Sequence, residues 1–466
     1  MRRIRVDTDR PRFRRFRSAS RLGVTAVAFA AMLVPSGFAR AEGSLAAVVQ
    51  ESVKGLGTLP EPIFVAAAPA TCDVPCTRGD ELAARVGVLL AGQLGKRASA
   101  SNEVVSLATA RARARRSRAL VHVKVEIAKG SLRVTSDVYP VPTNGWERLR
   151  APTPAPSAHA FASTPIDAEV RTYLPPVVLE RAAVKKFRHE EGEVVAAACG
   201  DLDGDGGLEL ALVSRTKVSI GKLGEGKFVS FSQVPWSKLA SVVPVPLREP
   251  LAGASIRGGA LFVGTSDRGG VLLDERSSPV SRFRGIPLGG DSRGACLTVD
   301  PATSAFTPTL VDCLDDTKTL PFAGAVATPP KKSTADKTDP VVRYDAVARA
   351  DVVDATGRAR VVTATREAPS RVRLRVGDTE VRVLEGFGAE LVVADLDQDG
   401  VPEVVTSSSD AKDDALSVAS VTKDDYRVRM KLPAPGGVRA LAACPPEENG
   451  VPSLVAVVGT EVWLVR

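Results

Sequence analysis

The segment ACGDLDGDGGLELALVS, residues 198–214, contains an acidic, glycine-rich loop between two apolar strands. The segment DLDQDGVPEV, residues 395–404, repeats the loop and the start of the second strand. The two loops begin at Asp201 and Asp395, 194 residues apart. Recurrence of one supersecondary pattern along a chain is the sequence signature of a repeat architecture. The period of this repeat therefore decides the fold.

Weaker copies of the pattern lie between and beyond the two acidic loops. They keep a strand, a loop and a second strand without the full acidic set, near residues 250, 298, 351 and 445. The resulting period of about 48 residues, with about four strands each, corresponds to one blade of a β-propeller. We therefore predict an all-β propeller over residues 177–466, with six blades favoured and seven as the alternative. The last copy has room for only three strands, so we expect residues 177–188 to supply its fourth.

Each acidic loop offers oxygen ligands at alternating positions, as a short Ca²⁺-binding loop does. Ca²⁺ takes about six to eight oxygen ligands from carboxylates and backbone carbonyls, and crowded carboxylates repel one another without a cation. The predicted ligands are Asp201, Asp203, Asp205, the carbonyl of Gly207 and Glu209 in the first loop, and Asp395, Asp397, Asp399, the carbonyl of Val401 and Glu403 in the second. Gly206 and Gly400 stand where each loop has to turn sharply. The alternative interpretation is an ordinary acidic β-turn.

The two loops resemble FG-GAP or VCBS repeats, the calcium-loop blades of propellers similar to the integrin α-chain head. The resemblance covers residues 177–466, and the last ligand is glutamate here where the integrin pattern usually has aspartate. It implies a propeller with two Ca²⁺ sites that staple hairpins, so the metal would be structural rather than catalytic. An EF-hand would need a glutamate at position 12 and a helix on each side of the loop, and neither is present.

The formal charge of +8 resides in the first 41 residues, which contain ten arginines and two aspartates, and the remaining chain has no net charge. This distribution argues against nucleic acid as a partner. The arginines precede the apolar run at residues 22–34 and the sequence Ala39-Arg40-Ala41, which is the order of a secretory signal peptide. We therefore predict a signal peptide at residues 1–41, a periplasmic or secreted protein, and no transmembrane anchor after cleavage.

We expect the six cysteines to form disulfides, because export places the protein in an oxidising compartment. Six cysteines allow 15 pairings, and the sequence alone does not choose among them. A local bond between Cys72 and Cys76 is favoured, as is one between Cys296 and Cys313, which flank the third copy of the loop and would replace the metal there. Cys199 and Cys444 occupy nearly the same place in the first and last copies, which makes them the remaining candidate pair.

Residues 42–150 alternate between helix and strand patterns, so the fold class is an α+β N-terminal domain followed by an all-β propeller. The expected elements of this small α/β domain are a strand at 63–69, helices at 78–95 and 104–118, and a hairpin around Lys129-Gly130. Residues 151–176 are rich in proline at their start and are predicted to be a linker. The order of domains is similar in arrangement to TolB-type periplasmic proteins, whose propeller repeats differ.

The motifs of catalysis are missing from the sequence, which has no G-x-S-x-G elbow, no H-E-x-x-H and no phosphate-binding glycine loop. We therefore expect a binding or scaffold protein of the cell envelope or extracellular space, with a protein or glycan partner, rather than an enzyme. The alternative is a propeller enzyme that acts on an extracellular polymer such as polysaccharide. A third interpretation is an envelope protein whose arginine-rich helix at 104–118 reaches anionic lipid, although a solvated helix face also explains those arginines.

Overall fold

The computed structural model describes residues 43–466 apart from 74, 151–152, 245–249, 291–293, 301, 304, 321–343, 368–369, 378, 409–411 and 448–449. The predicted signal peptide at residues 1–41 lies outside the described residues. In the described part of the chain, no helix is both long enough and apolar enough to cross a membrane.

The N-terminal domain contains a mixed β-sheet with helices on both faces. The helices are α1 (Ser44–Leu56), α2 (Gly79–Leu94), α3 (Leu107–Arg113), α4 (Gly145–Arg150) and α5 (Ala168–Arg171). The strands are β1 (Ile63–Ala67), β2 (Thr71–Cys72), β3 (Ala98–Ala100), β4 (Ala119–Ala128), β5 (Ser131–Pro140) and β6 (Ala158–Pro165). The strand order is β3-β1-β4-β5-β6, and β2 also pairs with β4. β1 runs parallel to β4, whereas β4, β5 and β6 form an antiparallel meander.

Alternation along β4 divides its side chains between two apolar layers. Val121, Val123 and Val125 lie in the core beneath α1 and α2, whereas Leu120 packs on the other face with the α3 residue Ala110. Successive residues of a strand point to opposite faces of the sheet, so both faces of β4 are covered. The predicted strand at 63–69, helix at 78–95 and hairpin are confirmed as β1, α2 and the β4–β5 pair.

Two predictions for the N-terminal half are wrong in their extent. The helix expected at 104–118 begins only at Leu107, after the Ser106 side chain caps it by accepting from the Thr109 amide, and it continues as a 3-10 turn from Ala114 to Arg116. The linker expected at 151–176 is folded over most of its length, because β6 pairs with β5 and the Val170 side chain of α5 is buried in the domain core. The buried residues of β6 are the small Ala160 and Ala162, whereas the large Phe161 is exposed, so the strand lacks the hydrophobic alternation that marks a buried face.

The C-terminal part contains four antiparallel four-stranded sheets and one eight-stranded sheet in a propeller-like arrangement. One 3-10 turn, Leu179–Arg181, precedes them, and α6 (Trp236–Leu239) follows the fifth strand. In each of the four separate sheets the strands follow one another in sequence order. The first two sheets are β12 (Ala252–Arg257), β13 (Ala260–Thr265), β14 (Gly269–Leu273) and β15 (Pro279–Phe283), and then β16 (Ile286–Pro287), β17 (Ala295–Asp300), β18 (Ala305–Asp312) and β19 (Thr319–Leu320). The other two are β20 (Ala346–Val353), β21 (Ala359–Glu367), β22 (Arg371–Val376) and β23 (Thr379–Leu384), and then β24 (Phe387–Ala394), β25 (Glu403–Ser408), β26 (Ala415–Val421) and β27 (Tyr426–Pro433).

The remaining strands form one eight-stranded sheet that joins the two ends of the C-terminal part. Its order is β28 (Val438–Cys444), β29 (Ser453–Val458), β30 (Glu461–Val465), β7 (Val184–Arg188), β11 (Lys227–Pro235), β10 (Lys217–Gly224), β9 (Glu209–Ser214) and β8 (Val194–Gly200). β7 pairs antiparallel with β30 from Val184 to Arg188, which confirms that residues before the first acidic loop complete the last strand group. β7 meets β11 through a single parallel pair, Arg188 with Lys227.

A cavity of about 720 Å³ lies at the centre of the strand groups. Its wall comes from β8, β12, β16, β20, β24 and β28, the first strand of each group, together with residues that flank them. Residues 165–168 of the N-terminal domain also line it, so that domain covers one end of the cavity. The wall is rich in alanine, as in the run Ala196, Ala197 and Ala198 of β8, which leaves the centre open.

The six cysteines form three disulfides: Cys72–Cys76, Cys199–Cys444 and Cys296–Cys313. These are the three pairs named from the sequence, and three disulfides fit an exported protein. The Cys199–Cys444 bond joins β8 to β28, the first strand of the first group to the first strand of the last. Cys296 stands opposite Val311 at the start of the β17–β18 hairpin, away from its loop. The third disulfide therefore staples the two strands and does not take the place of a loop ligand.

Candidate metal loops and the domain-docking surface

The two acidic loops are closed by the same side-chain bond. The Leu202 amide donates to Glu209 Oε2 in the first loop, and the Leu396 amide donates to Glu403 Oε2 in the second, both over 2.8 Å. Both glutamates begin the strand after the loop and are buried. The last predicted ligand of each loop is thereby fixed against the first turn, independently of any bound ion.

The first aspartate of each loop accepts two backbone hydrogen bonds within its own turn. The donors are Gly204 and Gly206 for Asp201, and Asp399 and Gly400 for Asp395. Gly206 and Gly400 have φ of 83° and 84°, a conformation that favours glycine. The sharp turn predicted at these two glycines is confirmed.

The second loop concentrates buried negative charge. Asp395, Asp397 and Asp399 place carboxylate oxygens within 4.8 Å of one another. Arg429 Nη1 pairs with Asp397 Oδ2 over 3.1 Å, but Asp397 Oδ1 is buried without a hydrogen-bond partner in the described part of the chain. A buried, unpartnered carboxylate oxygen is unfavourable unless a cation or donor reaches it. The second loop therefore has an oxygen positioned for a ligand that the described residues do not supply.

Burial makes ionisation costly in the second loop. Burial, with a further contribution from the Asp399 charge, raises the pKa of Asp395 to about 7. Burial and the Asp397 charge raise the pKa of Glu403 to about 9, although Glu403 Oε1 accepts a hydrogen bond from Ser420 Oγ over 2.7 Å. Both shifts have the same cause, since burial and neighbouring carboxylates disfavour the charged form of each group.

The first loop contains an internal cation. Lys222 Nζ lies 2.7 Å from Glu209 Oε1 and 3.3 Å from Asp205 Oδ2, and hydrogen bonding to Glu209 raises the pKa of this lysine. Asp201, Asp203 and Glu209 still place carboxylate oxygens within 4.8 Å of one another. The ammonium group of Lys222 thus occupies part of the space between two of the predicted ligands.

Strand register identifies a substitution on the neighbouring strand that changes the charge balance of the two loops. Glu403 pairs with Ser420 across β25 and β26. Leu210 pairs with Gly221 across β9 and β10, so the next antiparallel pair is Glu209 with Lys222. Lys222 and Ser420 are therefore equivalent positions. The serine donates a neutral hydrogen bond to the final glutamate, whereas the lysine brings a full positive charge.

The second loop also binds the N-terminal domain. Gln398 Nε2 donates to the Ile166 carbonyl over 2.7 Å, and its Oε1 accepts from Arg171 Nε over 2.9 Å. Gln398 has φ of 56°, at the position where the first loop has Gly204. Arg171 also donates to the Gly450 carbonyl in the loop between β28 and β29. One buried side chain of the acidic loop therefore connects the candidate metal ligands to α5 and the end of β6.

Close glycine contacts complete the docking surface, defined here as the loops after β20, β24 and β28 that touch the N-terminal domain. A Cβ on Gly130, in the β4–β5 turn, would lie 2.7 Å from Gly450 Cα. A Cβ on Gly43, before α1, would lie 2.7 Å from Gly357 Cα in the loop after β20. Both contacts admit only glycine without displacement of the backbone. The domain is thus held at three neighbouring loops on one face.

Sequence reasoning found the acidic residues but not the groups that distinguish the loops. Asp205 binds the Gly207 amide and Lys222 instead of joining the close carboxylate group of its loop, and Glu403 binds Ser420. Lys222, Gln398 and Arg429 were not identified from the sequence. The glutamine at position 398, where the first loop has Gly204, is the feature of the sequence that could have indicated a special role for this residue.

No known protein family matches the chain, and no curated protein matches it. The fold is similar to that of several solved structures. TolB from Acinetobacter baumannii has 12% identity and a TM-score of 0.31, over 82% of this chain and 96% of that chain. BamB from Moraxella catarrhalis has 13% identity and a TM-score of 0.31, over 61% and 90%. The WD40 domain of Toxoplasma gondii coronin has 12% identity and a TM-score of 0.33, over 62% and 87%.

Proposed function

We propose that this protein is an exported binding or scaffold protein built on a six-bladed, calcium-stabilised β-propeller, with the N-terminal domain fixed to one face. The proposal depends on the second acidic loop, which contains candidate metal ligands and also contacts the N-terminal domain. Asp397 leaves a buried oxygen without a partner in the described part of the chain, and its neighbour Gln398 binds Ile166 and Arg171. A cation in this loop would stabilise the propeller and the docked domain together.

The count of six blades treats the eight-stranded sheet as two blades that meet at β7 and β11. Each blade then has four strands, and the first strand of every blade lines the central cavity. β7 closes the ring by completing the blade formed by β28, β29 and β30. Ring closure removes exposed sheet edges, and the Cys199–Cys444 bond supports it covalently.

The second loop fits Ca²⁺ better than the first. Asp395, Asp397 and Asp399 would hold the ion through hard carboxylate oxygens, with Glu403 and the Val401 carbonyl as the further predicted ligands. In the first loop, Lys222 already balances Glu209 and Asp205, so a divalent ion there has to displace an ammonium group. We therefore propose one tighter site at Asp395 and a weaker or absent site at Asp201. This structural role needs no open coordination position and no bound substrate.

A partner would approach the face opposite the docking surface. The N-terminal domain covers the end of the cavity where β20 and β24 finish, so a partner would use the end where these strands begin, which we call the free face. Asp345 precedes β20 and forms an ion pair of 3.2 Å with Arg366 beside that end. A mixed-charge mouth over an alanine-rich channel supplies polar recognition with little apolar area, which suits a glycan or a polar protein loop better than a lipid chain.

Incubation of the purified protein with a panel of polysaccharides distinguishes a binding protein from the alternative, an enzyme on an extracellular polymer. We expect no release of reducing ends from any polymer, including those that the protein retains in a pull-down. Release of reducing ends that is lost in Asp345→Asn, but retained in Asp413→Asn at an exposed acidic turn, would establish the enzyme and overturn the scaffold proposal. A partner captured through the free face should be lost in Asp345→Asn and Arg366→Ala.

A further inference from the structure

The end of the N-terminal domain farthest from the propeller carries exposed apolar side chains beside unpaired arginines. Trp146 and Leu149 of α4 are 78% and 77% exposed, the highest values among the large hydrophobic residues that the structure describes. Trp146 and Leu149 are three residues apart, so they lie on the same side of this short helix. Isolated exposed leucines are common, but an exposed tryptophan beside one is not explained by folding.

The position of this helix follows from the β4–β5 hairpin. The turn at Gly130 touches the propeller, whereas Ala119 and Pro140 pair at the opposite end of the hairpin. Ten residues in each strand separate the two ends by about 30 Å. The segment with α4 follows Pro140 directly. Trp146 and Leu149 therefore project from the side of the protein that faces away from the docking surface.

Arginines of α3 and its 3-10 extension lie at this same end. The Val141 amide donates to the Arg118 carbonyl over 3.2 Å, and Arg111 Nη2 donates to the Pro154 carbonyl over 3.0 Å. These bonds hold the arginine-rich segment on both sides of the chain that contains α4. We define the distal tip as Arg115, Arg116, Arg118, Trp146, Leu149 and Arg150.

Within the part of the chain that the structure describes, acidic side chains do not neutralise the charge of the distal tip. Within the described residues, Arg115, Arg116, Arg118 and Arg150 have no acidic partner, whereas Arg113 pairs with Glu103 at 3.4 Å. The Glu147 carboxylate accepts hydrogen bonds from the Thr143 amide and hydroxyl, just before α4 begins. The tip therefore offers four free guanidinium groups around two exposed apolar side chains.

We propose that the distal tip binds an anionic lipid surface. Tryptophan concentrates at the interface between headgroups and acyl chains, and a leucine beside it adds apolar area that can enter the same layer. Arginines next to such a pair are attracted to negatively charged headgroups. A nucleic acid would be matched by the arginines but not by the projecting Leu149. The N-terminal domain would then hold the propeller at a membrane surface while the free face stays accessible.

The three tryptophans of the chain allow a specific test. Trp236 and Trp463 are buried, and residues 1–41 contain no tryptophan, so accessible tryptophan emission reports Trp146. The full chain is titrated with vesicles of phosphatidylcholine that contain phosphatidylglycerol and with vesicles of phosphatidylcholine alone. We expect a blue shift and reduced acrylamide quenching with the anionic vesicles only, and neither change in Trp146→Phe.

Charge variants separate the tip from other membrane contacts. Arg115→Gln combined with Arg116→Gln should raise the lipid concentration needed for the half-maximal emission change about 25-fold. Each basic residue near an anionic surface contributes about five-fold to the affinity. Phe231→Ala, which removes an exposed aromatic residue of β11, should leave the titration unchanged. Both variants must melt as the parent protein does. An emission that does not respond to anionic vesicles, that responds equally in the double arginine variant, or that responds only to an oligonucleotide would overturn the proposal.

Discussion

Arg171 of the N-terminal domain donates through Nε to Gln398 Oε1 of the second acidic loop over 2.9 Å, and both side chains are buried. The two residues are 227 positions apart in the sequence. Their contact makes the acidic loop part of the interface between the domains. It follows that anything that orders this loop also stabilises the docked domain, since binding to one conformation of a linked pair favours that conformation at both places.

Replacing Gln398 tests this link. Gln398→Ala leaves the Ile166 carbonyl and the Arg171 guanidinium without their partner, and loss of a buried partner costs about 1 to 3 kcal/mol. Amide hydrogen exchange in the segment from β6 to α5 should become faster by about 5-fold to 160-fold. Gln233→Ala, at an exposed glutamine of β11, is the control and should leave that segment unchanged. Unaltered protection of residues 158–171 in Gln398→Ala would show that Gln398 does not hold the domain.

An exchange of Lys222 and Ser420 tests why the two loops differ. Lys222→Ser removes the internal cation and should create a second Ca²⁺ site at Asp201, whereas Ser420→Lys should abolish the site at Asp395 because the added ammonium group would reach Glu403. Calorimetric titration should give one Ca²⁺ for the parent protein, two for Lys222→Ser and none for Ser420→Lys. Lys238→Ser at an exposed lysine of α6 is the control. Equal stoichiometry in all four proteins would contradict the role given to these residues.

The ion pair between Glu180 and Arg429 predicts a pH dependence in the acid range. Hydrogen bonding to Arg429 lowers the pKa of Glu180 from 4.5 to about 2. A carboxyl group with a lowered pKa in the folded state contributes stability that is complete above its unfolded pKa and is lost as pH falls toward the folded value. The difference in urea midpoint between the parent protein and Glu180→Gln should therefore be constant from pH 7 to about 5 and should shrink below about 4.5.

A matched variant controls for general charge effects. Glu193→Gln breaks an exposed pair in which Arg215 Nε lies 3.1 Å from the carboxylate, and exposed pairs contribute little. We expect a small difference from the parent protein at every pH. A difference for Glu180→Gln that grows as the pH falls would have the wrong sign and would reject the pairing as a source of stability.

The disulfide between β8 and β28 should stabilise the fold more than the one within the β17–β18 hairpin. The bonds span 245 and 17 residues, and the chain-entropy relation gives about 5 and about 3 kcal/mol respectively. The double variant Cys199→Ala, Cys444→Ala should therefore melt at a lower temperature than Cys296→Ala, Cys313→Ala. The opposite order would indicate that ring closure does not depend on the covalent bond.

The repeated acidic loops could be predicted because their signals are local: Asp201 and Asp395 mark equivalent turns. The closing strand was predicted from the four-strand period of the repeat, and the structure pairs it with β30. Strand β6 was missed because its buried residues are alanines and its large apolar residue, Phe161, is exposed. Ala160 is small because Gly55 of α1 packs on it, with a Cβ at that glycine only 2.9 Å from Ala160 Cβ. Such a close contact is visible only when both elements are placed.

The charge balance of the loops could not be predicted because it depends on partners from other strands. Lys222 lies 13 residues after Glu209, and its distance from that carboxylate follows from the β9–β10 register. Arg171 and Gln398 meet only because the N-terminal domain covers one face of the propeller. The spacing of carboxylates therefore predicts a candidate site, whereas the neighbours across the sheet determine whether a metal is needed there.

Thermal unfolding with Ca²⁺ or with chelator shows whether Ca²⁺ in the second loop stabilises the propeller. Saturation at about 100 times the dissociation constant adds about 2.7 kcal/mol to the folded state, so the melting temperature should rise by several degrees. Asp397→Asn should abolish the rise, and Asp203→Asn, at the equivalent position of the first loop, should retain it. An unchanged melting temperature in the parent protein, together with no bound calcium by elemental analysis, would show that Ca²⁺ does not stabilise the propeller.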